Sequence, residues 1–206
     1  SLIAHVGEVV RNLPWLDAAV LSTDDEEIAA EGRRVGLEVP FIRPAELATD
    51  DARIAGAWKH AWKFIEDRDS VTYDASVLLE PSCPLREPGD VTSTVAALLS
   101  GDHAAAATIS RTPARWNAYK AVVPGSEDVL EPLLGAAGLE PIRQKSPVHH
   151  HRNGACYAVR RSTLLEHGFV FEHDCIGVAI ERELVNIDEP ADLDYARWLF
   201  SRGPMP

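Results

Sequence analysis

Strand-like and helix-like stretches alternate along most of the chain, and that alternation predicts a three-layer α/β fold, a mostly parallel sheet with helices on both faces. Three observations carry the expectation. Short apolar runs such as "SVLL" (76–79) and "HAAAATIS" (103–110) have the length of buried strands. Between them lie segments with apolar residues at helical spacing. Proline and small or acidic residues punctuate the ends of the runs, as in "LLEPSCPLR" (78–86).

In chain order, "LIAHVGEVVRNL" is helical by its spacing, and "DAAVLST" (17–23) reads as a short buried strand. "TDDEEIAAEGRRVG" reads as a helix opened by a capping box of Thr23 and Glu26, with acids crowding its first turn. "LEVPFIRP" is extended and broken by Pro40 and Pro44. "DARIAGAWKHAWKFIE" places Ile54, Trp58, Ala61, Trp62 and Ile65 on one helical face. Pro88 to Ser100 is a helix with proline near its first position. From Arg111 to about Arg152 the pattern changes to loops, a strand candidate "AYKAVV" and a Pro- and Gly-punctuated arm. "ACYAVRR" and "RELVNI" (182–187) read as strands, and "PADLDYARWLFS" as a closing helix.

With 206 residues, 46% hydrophobic and 25% charged, the chain suits one globular domain, 1–206, carrying an arm at about 111–152. Twenty Lys and Arg against 32 Asp and Glu give a net charge of −12, which disfavours nucleic acid or an anionic membrane as the main partner. A small anionic ligand held by a few arginines is still compatible. Apolar stretches are too short to span a bilayer, and the first residues lack the pattern of a signal peptide. Cys83, Cys156 and Cys175 are scattered, with no C-x-x-C, so neither zinc nor a disulfide framework is suggested, and the expected location is the cytoplasm.

Ligands of open α/β sheets bind beyond the carboxyl ends of the strands. "EPSCPLR" lies at one such end and "NIDEP" (186–190) at another. Two prolines three residues apart exclude a helix interior or central strand and call for a stiff turn that presents Glu80, Ser82 and Arg86.

Four stretches together resemble the acylneuraminate cytidylyltransferases. "VLSTDDEEIAAEGRRVGLEVPFIRPAELATD" (20–50) resembles that family's second motif and the Arg-Pro segment after it. "LLEPSCPLR" is similar to its L-L-Q-P-T-S-P-L-R, "RQKSPVHHHRNGACYAVRR" to its R-Q-x-x-P-x-x-x-x-x-N-G-A-x-Y, and "LVNIDEPADL" to its I-D-I-D-T-P-E-D-L. The resemblance implies a Rossmann-like nucleotidyltransferase fold, a homodimer built through the arm, CTP and a sialic-acid-like 2-keto sugar acid as substrates, and Mg²⁺ as cofactor. CMP-sugar and pyrophosphate would be the products, and a nucleotide-binding relative without turnover is the alternative.

Residue by residue, the resemblance implies a metal-binding role for Asp188, which as the acid before Glu-Pro also suits an N-cap. Asn186 stands where the family often has a first aspartate, and its amide adds no charge. Arg43 and Ala52 match nucleotide-contacting positions, with Arg53 and Ile54 replacing the small serines that follow in the family. Glu80 replaces a sugar-contacting glutamine; an ionised Glu only accepts, so either the acceptor carries an amine or further hydroxyl, as in a sister enzyme for another acid such as a phosphonate, or Glu80 points away. Ser82 is expected to shape the turn beside the substrate. Arg143 and Gln144 match the arm that reaches a neighbouring site, Arg143 as a partner for a carboxylate, and Asn153 follows as a substrate contact or a turn residue. His149, His150 and His151 are read as a loop offering one or two imidazoles to substrate rather than as a metal site. The family's glycine-, arginine- and lysine-bearing phosphate loop has no counterpart, and no P-loop replaces it, so the expectation is that an N-terminal piece is missing or that the chain as it stands does not turn over. No G-x-S-x-G is present to support a hydrolase.

Overall fold

The computed structural model describes residues 1–126, 129–136, 147–168 and 174–202. The elements follow in order as α1 (Leu2–Arg11), α2 (Glu26–Arg34), α3 (Ile54–Asp69), β1 (Ala75–Leu78), α4 (Pro88–Ser100), β2 (Ala105–Arg111), β3 (Val122–Pro124), β4 (Leu130–Pro132), β5 (His150–Arg160), β6 (Cys175–Ala179) and α5 (Pro190–Arg202). No helix among the described residues is long and apolar enough to cross a membrane.

The main sheet has the order β1-β5-β2-β6. β1, β2 and β6 share one direction, and β5 runs against them between β1 and β2. This is the mostly parallel α/β sheet expected, with one reversed strand inserted. Alternation along the strands sorts the core into two layers. On one face, Trp58 and Trp62 of α3 pack on Ala105, Val159, Leu78 and Tyr157. On the other, Val9 of α1, Leu13 just beyond it and Val91 of α4 pack on Cys156, Val77 and Leu79, while Leu98 covers Ala106 and Ala158. Trp58 Nε1 also donates to Ser76 Oγ at 2.8 Å, which pins α3 to β1 in a set register.

Helix boundaries follow local chemistry closely. Pro88 opens α4 behind a reciprocal box in which Glu87 and Asp90 each accept from the other's backbone N–H. α2 departs from expectation: its cap is Asp25, not Thr23, because the Asp25 carboxylate accepts from Glu27 and Ile28 N–H, both at 2.8 Å, and a charged acceptor outcompetes a hydroxyl there. Thr23 instead accepts from Asp25 N at 3.2 Å. Ile54, expected on the buried face, opens α3 and is 44% exposed, before the sheet covers the helix.

Four strand readings are corrected. Residues 17–23 form no strand, only one parallel bridge, Val20 to Glu38, carried by Leu21 N to Glu38 O at 2.8 Å and Glu38 N to Ala19 O at 3.2 Å. In "AYKAVV" the first three residues make a 3₁₀ turn and only Val122–Pro124 pairs, with β4. The segment 182–187 is held by side-chain and loop hydrogen bonds rather than a ladder, and the strand next to β2 is β6, Cys175–Ala179. β6 fits because Gly177 lets its backbone approach Ile109; a Cβ there would lie 2.8 Å from Ile109 Cδ1. Finally, His150 and His151 belong to β5 rather than to a loop, with alternate side chains on opposite faces.

Candidate active site

The turn after β1 is built by a buried arginine. Arg86 is 5% exposed and donates to the carbonyls of Glu80 at 2.6 Å, Gly154 at 3.2 Å and Ala155. Burial lowers its pKa, yet a guanidinium stays protonated near neutrality, so a fixed positive charge lies beneath the turn. Cys83, 1% exposed, fills the inside of the bend against Ala155 and Ile180. Burial pushes its thiol pKa up, which makes it a packing group rather than a nucleophile. The two prolines stiffen the chain on either side, and Arg86 thus acts as scaffold, its donors spent on backbone.

The carbonyls of Gly154 and Ala155 belong to a bulge in β5. The ladder with β2 shifts register between Ala107 and Ile109, and Thr108, fully buried, fills the irregularity. Its hydroxyl donates to Asn153 Oδ1 at 2.6 Å and accepts from Cys156 N at 2.9 Å. Asn153 Oδ1 also accepts from Ala155 N at 3.1 Å, and its amide donates to Ser110 at 2.9 Å. Asn153 is 5% exposed, so it holds the bulge in shape. Gly154, at φ 73°, then passes its bare Cα beneath the turn.

The third component is the loop before α5. Ile187 N donates to Ser82 O at 2.8 Å, and Ser82 Oγ donates to Asn186 Oδ1 at 2.6 Å. Asn186 Nδ2 in turn reaches both carboxylate oxygens of Asp188 at 3.0 Å. Asp188 is not the helix cap: Asp192 takes the N–H groups of Asp188 and Glu189 at 3.1 and 2.8 Å, leaving the exposed Asp188 carboxylate outside the helix. At the other end of the loop, Arg182 donates to both oxygens of Asp90 and to Leu85 O at 3.1 Å, fastening the segment to the start of α4.

Glu80, Ser82, Gly154, Asn186 and Asp188 therefore meet at the carboxyl end of β1. A Cβ on Gly154 would lie 3.0 Å from Asn186 Oδ1 and 3.5 Å from Glu80 Oε2, so the glycine leaves an oxygen-lined cradle. Burial raises the Glu80 carboxyl above its ordinary range; Arg86 and Arg152 oppose the rise and Asp188 adds to it. Burial likewise raises the Tyr157 phenol, and the charge of Glu80 adds to that rise. The donor set is hard oxygen, two carboxylates and an amide, which suits a small divalent cation.

The remaining expected residues lie elsewhere. Arg43 pairs with Asp24 at 2.7 Å and holds that carboxyl below its usual range. Its Nε is buried without a hydrogen-bond partner among the described residues, as are Ser22 Oγ and His60 Nδ1. Phe41 meets His60 edge-on at 4.6 Å between ring centres, so this region combines aromatic surface with unspent polar atoms. Ala52 N closes a turn on Thr49 O at 2.9 Å, just before α3. Neither Arg43 nor Ala52 shares a hydrogen bond or ion pair with the Asp188 cluster among the described residues. Arg143 and Gln144 lie outside the described residues. His149 Nδ1 donates within its own loop, to Pro147 O at 2.8 Å, and His151 faces Thr112 at 3.2 Å. Thr108, Tyr157 and Arg182 escaped the sequence reading; a lone arginine in "ERELV" carries no local signal of its distant partner.

No family model matches the chain. Over 195 residues, 95% of this chain and 81% of the relative, it is 28% identical to the post-translational flagellin modification protein B of Campylobacter coli. Over 202 residues, 97% of this chain and 84% of the relative, it is 26% identical to the pseudaminic acid cytidylyltransferase of Campylobacter jejuni subsp. jejuni serotype O:23/36 (strain 81-176). In three dimensions it resembles a CMP:2-keto-3-deoxy-manno-octonic acid synthetase solved with CTP, at a TM-score of 0.68 and 17% identity, covering 98% of this chain and 88% of that one. The layered sheet has the α/β fold of that synthetase, and the sequence relatives include a cytidylyltransferase. Within that class the chain is similar to CMP-sugar acid cytidylyltransferases.

Proposed function

We propose that this chain transfers the cytidylyl group of CTP to a sugar acid, and that the acceptor is a sialic-acid-like 2-keto acid. The anomeric hydroxyl of the acceptor attacks the α-phosphorus, the bond to the β-phosphate breaks, pyrophosphate leaves and the hydroxyl proton is released. The observation that carries the reading is the junction of Glu80, Ser82, Asn186 and Asp188 around Gly154 at the sheet's carboxyl edge. Positioning and charge do most of the work in such a reaction.

The oxygen-lined cradle fits Mg²⁺, with Asp188 as the anionic ligand and Asn186 beside it. When bound, Mg²⁺ would neutralise the triphosphate. Ser82 and Asn186 hold the Asp188 carboxylate in one orientation. The buried Arg86 supplies a fixed positive field under the turn. Arg43, with Ala52 on the following turn, is assigned to the cytosine, since a guanidinium can donate to a base carbonyl oxygen and the Arg43 Nε is unspent. Arg143 and Gln144 are assigned to the acceptor's carboxylate, and Asn153 to the wall behind it. Two copies are proposed to associate through the β3–β4 region, where Leu130 and Leu133 are 64% and 55% exposed. A reaction drawing on CTP, in a chain with three free cysteines, fits the cytoplasm.

The deciding experiment is pyrophosphate release from CTP and Mg²⁺ across pseudaminic, N-acetylneuraminic and 2-keto-3-deoxy-octonic acids and a phosphonate. Release with CTP and one 2-keto nine-carbon acid supports the proposal. Release only with a phosphonate or an eight-carbon acid moves the acceptor, and CTP binding without release with any acid marks a non-catalytic relative; either overturns it.

A further inference from the structure

We infer that the groove between the end of β2 and residues 147–149 binds a small hydroxy acid, with Arg111 and Lys120 on its carboxylate and His149 on a hydroxyl. The inference rests on the cytidylyl-transfer reading only for naming that acid as the acceptor.

The groove encloses about 390 Å³, within the size range of small-molecule sites. Arg111, Thr112, Asn117, Lys120 and His149 line it, and among the described residues no acid does. That is unusual for this chain, in which 32 acids face 20 bases. Arg34, Arg43, Arg68, Arg161, Arg182 and Arg197 each pair with a carboxylate. Arg111 and Lys120 pair with none among the described residues, so an anion entering the groove meets two unopposed cations. Pro113, Pro147 and Val148 complete the wall with apolar surface. A polyphosphate asks for donors along its whole length, whereas a carbon skeleton with one charged end matches a wall that is part cation and part hydrocarbon.

The frame is tied from both sides. Arg111 stands opposite His150 in the β2–β5 ladder, and Thr112 N donates to His149 O at 2.8 Å. Asn117 Nδ2 donates to Pro147 O at 3.3 Å, and Lys120 N closes a turn on Asn117 O at 2.8 Å. Both cations therefore project from backbone that is fastened across the groove to residues 147–150. Ser110, just before Arg111, accepts from the Asn153 amide at 2.9 Å, so the groove begins one residue beyond the bulge that carries Gly154.

His149 is fixed in ring orientation and in tautomer. Tyr119 meets its ring edge-on at 5.3 Å between ring centres. Pro147 O can only accept, so the 2.8 Å contact places the His149 proton on Nδ1. Nε2 is then the acceptor of the neutral ring, and it has no hydrogen-bond partner among the described residues. Guanidinium and ammonium donors for a carboxylate, with an imidazole acceptor for a hydroxyl, are the set that a hydroxy acid satisfies.

The test is calorimetric titration of the purified chain with pseudaminic, N-acetylneuraminic and 2-keto-3-deoxy-octonic acids, each beside its methyl ester, and with pyrophosphate as a phosphate probe. The variants are R111A, K120A, H149A and R115A, and circular dichroism checks that each is folded. Arg115 lies against Trp116, its guanidinium 6.0 Å from the ring centre, outside the lining of the groove, and serves as the control for lost charge. R111A and K120A are each expected to weaken the best-bound acid by about 10-fold or more, and H149A by about 2- to 5-fold. R115A is expected to stay within about 2-fold of native, and the methyl ester to bind the native chain at least about 10-fold more weakly than the acid. Native-like binding by R111A and K120A overturns the site, and native-like binding by H149A overturns the hydroxyl contact. An equal loss in R115A, tighter binding of pyrophosphate than of any acid, or no acid bound by the native chain also overturns the site. Pyrophosphate release from CTP separates the two readings. Release by the native chain, with R111A and K120A binding the acid like native, keeps the transferase and removes the groove. Acid binding that depends on Arg111 and Lys120, without release, keeps the groove and removes the transferase.

Discussion

The hydroxyl of Ser82 donates to Oδ1 of Asn186 at 2.6 Å, across 104 residues of sequence. This bond and the parallel contact from Ile187 N to Ser82 O join the turn after β1 to the loop before α5. Ser82→Ala frees the Asn186 amide to rotate, and Asp188 loses its fixed orientation. The expected result is a three- to ten-fold fall in the rate of pyrophosphate release, with a stability loss of only about 1 kcal/mol, since the bond is half exposed. Steady-state kinetics and urea unfolding on the same preparation check both halves.

Gly154→Ala acts through backbone and space together. At φ 73° an L-residue is strained by about 1 to 2 kcal/mol, and the new methyl would meet Asn186 Oδ1 at 3.0 Å. The melting temperature is expected to fall by about 2–6 °C, and Mn²⁺ binding to weaken alongside it. Calorimetry and an EPR titration of Mn²⁺ provide the two readings.

Arg86→Lys is not a conservative change. The guanidinium fork serves three carbonyls at once, and a single ammonium on a flexible stem cannot. The expected cost is about 2–4 kcal/mol in urea unfolding, from buried acceptors left unpaired. A lysine variant as stable as the native protein would show that packing, rather than the fork, holds the turn.

Asp90→Ala removes the carboxylate that Arg182 grips at the start of α4. Breaking a buried pair by deleting one partner costs about 3 kcal/mol. The loop 182–188 should loosen as well, so the Ile187 amide, bonded to Ser82 O in the native protein, is expected to exchange faster by at least about 10-fold. Hydrogen exchange followed by mass spectrometry reads this directly.

Glu66 gives the fold a pH dependence. Its carboxylate pairs with Arg161 and accepts from Tyr73 N and Trp62 Nε1, both at 3.1 Å, and the Arg161 guanidinium is the chief reason its pKa lies below the ordinary 4.5. A depressed folded-state pKa means that the stabilisation is complete above about pH 4.5 and is lost as pH falls through the lower value. Glu66→Gln is therefore expected to be less stable than the native protein at pH 7, by about 1–2 kcal/mol, with the gap closing toward pH 3. Urea midpoints of both proteins between those limits test the sign.

Local chemistry was sufficient for several features. Glu87, Pro88 and Asp90 announce the start of α4 within four consecutive residues, and the Trp58, Trp62 and Ile65 spacing places one face of α3 against the sheet. Pro81 and Pro84 require a stiff turn where one is found. Signals of this kind depend on neighbours a few residues apart, and a sequence displays them directly. The residues of the site were also legible one by one: Glu80, Ser82, Asn186 and Asp188 stand at the ends of predicted strands.

Their mutual arrangement was not. That Arg86 faces backbone carbonyls and that Asn153 supports a bulge both depend on which hydrogen-bond partners arrive from distant segments. Segment 182–187 reads as a strand because Leu184, Val185 and Ile187 form a short apolar run, yet Arg182 and Ile187 are claimed by Asp90 and Ser82, so no ladder forms. By itself the sequence determined the α/β class, the helices and the chemical types gathered at the strand ends, because these follow from short-range periodicity and capping. Only the tertiary structure decided that Glu80 and Asn186 meet over Gly154, because that placement depends on a β-bulge and on contacts spanning more than a hundred residues, for which no local pattern exists.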